Sequence, residues 1–159
     1  MHETKNDLPA GVRTKVNELL GRRLGDGIDL LLQVKHAHWN VKGPSFIALH
    51  ELFDKVHAGV AEYVDLIAER IVQLGGTADG LAASVVKRSS LPPFPGNAVD
   101  GMDHVRSLAS VLAAFGRAVR KDIESLDGYG DAGSADIMTE VSRGTDKYLW
   151  LLEAHTQAK

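Results

Sequence analysis

The 159-residue chain contains no cysteine. Disulfides and thiolate metal sites are therefore excluded, and any metal chemistry must rest on His, Asp and Glu. Those donors suit iron, manganese or zinc better than soft metals. Nothing approaches ~20 consecutive apolar residues, so no membrane span is expected. The opening MHETKNDLPAG lacks the apolar core of a secretory signal, and the expected location is the cytoplasm. No charge sign is in large excess: the net charge is −3 with His neutral, so a nucleic-acid role would need a local basic patch. The phosphate-cradling G-x-x-x-x-G-K-[ST] motif is missing, as are H-E-x-x-H and G-x-S-x-G. Alternating strand-like runs are scarce.

What is present is helical periodicity, with apolar residues every three to four positions. Four main helices are expected in a single domain over residues 1–159, preceded by a short tail, 1–7. The first runs from about Leu8 to Asn40, with Asp7 as N-cap, Pro9 in its first turn, and a Val12, Val16, Leu20, Leu24, Ile28, Leu32 row. Gly21, Gly25 and Gly27 interrupt it, by drift or because another helix comes close. After NVKGP, Ser45 caps a second helix reaching about Leu74, with a stripe from Phe46 through Leu49, Phe53, Val56, Val60, Val64, Ile67 and Ile71. Residues 75–100 are rich in Gly, Ser and Pro; within them GLAASVVKR could form one or two helical turns. A third helix over about Asp103–Leu126 and a fourth over about Ala135–Thr156 flank the turn DGYGDAGS. Short outer connections and a long middle one fit a four-helix bundle with a crossover, the ferritin-like topology, although unrelated bundles satisfy the same count.

The stretch from Lys35 to Arg70 holds four of the seven histidines. At about 100° per residue, His50, Asp54, Asp65 and Glu69 fall at about 0°, 40°, 60° and 100° around one helix and share a face. Along the axis His50 and Glu69 are about 28 Å apart, too far for one metal centre. The face instead carries two chelating i, i+4 pairs, His50/Asp54 and Asp65/Glu69. His38, brought back by the NVKGPS turn, could join the first. Two copies packed antiparallel about a two-fold axis would set one pair against the other and make two equal sites. The alternative is a solvated acidic face with structural histidines. His36, His57 and His104 show no ligand pattern. Glu-x-x-His, which builds a di-iron centre inside a bundle, is absent, and that favours a site between chains.

AHWNVKGPSFIALHELFDKV followed by YVDLIAERIVQLGG resembles the signature of the Dps family, the mini-ferritins or DNA-binding proteins from starved cells: H-x11-H-x3-D-x10-D-x3-E. The similarity extends from TKNDLP to DKYLWLLEAH. It implies an all-α, ferritin-like four-helix bundle with a short extra helix in the long middle crossover. It implies iron as the metal, with His38, His50 and Asp54 from one subunit and Asp65 and Glu69 from its two-fold partner. Trp39 matches a tryptophan close to that ferroxidase centre. The implied activity is oxidation of Fe(II) to Fe(III), preferentially by hydrogen peroxide, with ferric mineral stored in a hollow homododecamer and DNA protected from oxidative damage.

Relatives admit iron through acidic pores near the start of the last helix. Here Asp136, then Asp131, are the candidates, although Gly133 stands where relatives are often acidic; capping and helix-dipole compensation is the other role open to them. The alternative function is a nucleoid-compacting DNA-binding protein with secondary iron binding; a plain helical interaction module is a third. DNA binding is expected to be weak or absent. The tail holds Lys5 against Glu3 and Asp7, and the C-terminal HTQAK adds only Lys159.

Overall fold

The computed structural model describes residues 1–157, so Lys159 lies outside the described residues. Five helices follow in order: α1 (Ala10–Asn40), α2 (Phe46–Gln73), α3 (Ala82–Arg88), α4 (Gly101–Tyr129) and α5 (Ala132–Gln157). There is no strand among the described residues. Helices α1/α2 and α4/α5 form antiparallel hairpins. The long crossover carrying α3 returns the chain to the α1–α2 turn, where Gly101 sits against Leu49 and the Lys42 carbonyl. This is the ferritin-like bundle with one extra crossover helix.

The core is a continuous apolar cluster drawn from all four long helices, including Leu20, Leu24, Phe53, Ile67, Leu108, Phe115, Met138 and Leu152. Leu32 does not join it: the residue is 63 % exposed, and Leu30 and Val34 face inward instead. A strict i, i+4 row turns about 40° around a helix at each step, which is why the expected stripe left the core at its end. Phe46, at the start of α2, is also exposed, as are Trp39, Ile47, Val72, Leu81 and Val86.

Helix boundaries follow their caps. Pro9, not Asp7, occupies the N-cap position of α1, without a side-chain bond. Ser45 precedes α2 but makes no capping hydrogen bond. Asp100 does cap: its carboxylate accepts from the amides of Met102 (2.7 Å) and Asp103 (2.9 Å), so α4 starts at Gly101, before the expected Asp103. At its other end α4 continues through Asp127 and Gly128 to Tyr129, and Gly130 closes it in the left-handed region at φ 78°. The expected eight-residue turn is thereby cut to Gly130 and Asp131.

Two of the three α1 glycines mark close approach. A Cβ on Gly25 would lie 2.8 Å from the Arg88 Cβ of α3, and one on Gly27 would lie 2.9 Å from Val64 of α2; Gly21 faces open space. Between α2 and α5 the same device appears reciprocally. The Tyr148 hydroxyl rests on Gly59 and the Tyr63 hydroxyl on Gly144, leaving no room for a side chain at either glycine. The two rings lie 6.5 Å apart. Burial of the phenol pushes the Tyr63 pKa up to about 12, so it stays neutral.

Crossover and tail are both fastened down. Buried Arg23 bridges Asp26 and Asp122, joining α1 to α4. Asp26 also accepts the Ser90 amide (2.7 Å), tying the segment after α3 to α1. Burial raises the Asp122 pKa despite its guanidinium partner. The N-terminal residues fold back: the His2 amide donates to the Gly75 carbonyl (2.6 Å), and Met1 Sδ lies beside Thr14 and Asn17.

Candidate metal centre

Where α1 ends and α2 begins, His38 and His50 stack with ring centroids 3.7 Å apart. Each ring is held by the other residue's backbone: His38 Nδ1 lies 2.9 Å from the His50 carbonyl, and His50 Nδ1 lies 2.9 Å from the His38 carbonyl. A carbonyl only accepts, so each Nδ1 carries a proton toward it, and in the neutral ring Nε2 is the nitrogen whose lone pair a metal would use. Metal-ligating histidines are commonly oriented in this way. The NVKGPS turn produces the lock by folding α2 back so that residues 38 and 50 face one another.

Asp54 is one turn beyond His50, its Oδ1 4.0 Å from His38 Nδ1. It is exposed and ion-paired with Lys35 of α1. The Lys35 hydrogen bond is the main reason its carboxyl is held below the ordinary aspartate value. His57, a turn further along α2, has its pKa lowered, first by burial and then by the Lys35 charge. Lys35 escapes a search for ligands because it is a cation; its signal was its place three residues before His38, facing α2.

Asp65 and Glu69 are exposed on the same helix, well away from His50. Glu69 borders an apolar recess of about 430 Å³ lined by Ala68, Val72, Gln73 and Ala78. Among the described residues no three His, Asp or Glu side chains converge within the protomer. His38 and His50 pair where α1 meets α2, with Asp54 one turn along, while Asp65 and Glu69 lie apart on the same helix. Trp39, Phe46, Ile47 and Val72 are exposed; the Phe46 ring lies 5.2 Å from that of His50, and Val72 lines the same recess as Glu69.

Asp131 is 2 % exposed and not available as a pore ligand. Its carboxylate accepts from the Ser134 amide (3.1 Å) at the start of α5 and pairs with Arg70 of α2 at 2.8 Å. Asp136 and Glu140 are exposed on α5.

A family model describing a ferritin-like domain matches residues 17–158. The "DNA protection during starvation protein" of Agrobacterium fabrum is 44 % identical over 158 residues, covering 99 % of this chain and 98 % of the relative. A solved structure of Mycobacterium smegmatis Dps superposes with a TM-score of 0.93 at 30 % identity, covering 99 % and 95 % of the two chains. Dps from Microbacterium arborescens, solved in a high iron form, gives 0.87 at 32 % identity, covering 98 % and 99 %. Within the ferritin-like class that the bundle defines, this chain belongs to the Dps family.

Proposed function

We propose that the protein is a ferroxidase and iron store whose metal centre is completed across a two-fold axis, with His38, His50 and Asp54 of one chain facing Asp65 and Glu69 of the next. The observation that carries this is the reciprocal imidazole–carbonyl lock, which occupies both Nδ1 atoms and leaves both Nε2 atoms for a metal, in a chain where no third or fourth ligand converges on them. The exposed apolar residues beside both halves favour burial against a second copy. The homodimers build a hollow dodecamer, and the high iron form of the Microbacterium relative supports iron as cargo.

Fe(II) is the substrate, held through imidazole nitrogens; carboxylates favour the harder ferric product. Two Fe(II) ions each lose one electron, the O–O bond of one hydrogen peroxide breaks, and two protons complete two waters, so no hydroxyl radical is released. Asp136 is the remaining candidate for iron entry. No helix among the described residues is long and apolar enough to cross a membrane, and the cytoplasm is the proposed location. DNA is protected chiefly by removal of iron and peroxide. Direct DNA binding is weak: the N-terminal residues are packed against α1 and Gly75 and offer no free basic arm.

The test is anaerobic loading with Fe(II) followed by stoichiometric peroxide, monitored by ferric absorbance alongside the mass of the assembly. Rapid oxidation in a dodecamer, slower with oxygen, is expected. An assembled protein that oxidises Fe(II) no faster than buffer overturns the proposal.

A further inference from the structure

His104, in the first turn of α4, is completely buried, and no protein group hydrogen-bonds either ring nitrogen. An imidazole always carries an N–H, so this burial is costly even when the ring is neutral and far more so when it is charged. Phe94 of the crossover covers it, with the rings stacked at 5.7 Å. The other side of Phe94 meets the His36 ring edge-on at 5.1 Å. Phe94 is itself half-buried, so one aromatic ring separates His104 from solvent. The segment is held down nearby by Gln33, whose Nε2 donates to the Pro92 carbonyl (3.1 Å).

The polar groups facing His104 are few. From α1 come His36 and the Asn40 carbonyl, which does not reach hydrogen-bond geometry; from α4 come Asp100 and Asp103; the crossover contributes the uncharged Phe94. Both carboxylates are engaged elsewhere, Asp100 as the α4 cap and Asp103 with Arg106. Burial outweighs them and lowers the His104 pKa.

We propose that His104 is an acid-operated latch on the α3–α4 crossover: neutral, it lets Phe94 close over α4; protonated, it draws water in and frees the segment around Phe94. The folded state binds this proton less tightly than the unfolded chain. The latch is therefore fully closed above the ordinary histidine value of about 6.5 and weakens as pH falls below it toward the lower folded value. Nothing in this depends on iron, so it stands or falls separately from the ferroxidase.

Hydrogen–deuterium exchange on the intact assembly at about pH 7.5 and about pH 5, corrected for intrinsic exchange, tests it. The hydrogen-bonded amides of the segment, at Ser90, Leu91 and Ala98, should lose protection at the lower pH relative to the α4 interior. Unchanged protection overturns the latch. His104→Leu, which cannot be charged, should abolish the pH response, with His104→Gln as the polar uncharged comparison. An acid response surviving in either variant also overturns it. If neither variant assembles, the wild-type exchange decides.

Discussion

Lys35 places an ammonium against Asp54, where an incoming cation would need the carboxylate. Replacing it with methionine removes the competing charge while keeping the aliphatic stem. Lys35→Met should tighten anaerobic Fe(II) binding roughly two- to fivefold, the scale of a solvent-screened pair; calorimetric titration showing equal or weaker binding would count against the site. Gly59 tests packing instead. Gly59→Ala forces a methyl into the Tyr148 hydroxyl and should cost about 1–3 kcal/mol, seen as a lower thermal midpoint. At this scale the sequence was unevenly legible. The spacing of His38 and His50 gave their pairing, because a tight turn between helices leaves few alternatives; Asp54, a turn away, is ion-paired with Lys35. Asp131 could not be sorted from a pore ligand, since its role depends on Arg70, 61 positions away.

Element boundaries were least visible where a cap lies outside the apolar stripe. The α4 helix starts at Gly101 because Asp100 satisfies two amides that the helix leaves unpaired. Asp100→Ala should cost about 0.5–2 kcal/mol, measured by urea denaturation, with Asp100→Ser recovering most of it. The short helix α3 was foreseen within GLAASVVKR, but its position was not. Its place depends on Gly25 admitting the Arg88 Cβ and on Asp26 holding Ser90, both non-local. The long helices were legible because their burial repeats with the backbone period; Leu32 failed because the drift accumulated along the i, i+4 row turned it outward.

For the whole molecule, sequence and single-chain structure reach the same limit. Both hold the two ligand groups apart on one helix, and in the proposed function another copy of the chain joins them. The proposed geometry makes a sharp prediction. His50→Ala and Asp65→Ala homo-oligomers should each lose most peroxide-dependent oxidation. A mixed dimer gathers both lesions into one site and leaves the other whole, so co-refolded mixtures should regain activity. Proven subunit mixing without recovery would show that both pairs serve a site within one chain or none at all.

The crossed tyrosines and glycines of α2 and α5 also leave a trace in inheritance. Neither glycine can gain a side chain while the opposing phenol remains, and a lost phenol leaves a void that a larger residue opposite can fill. Position 59 should therefore vary with 148, and 144 with 63, across descendants of this fold, each pair drifting as a unit while the separation of the pairs along the helices stays fixed.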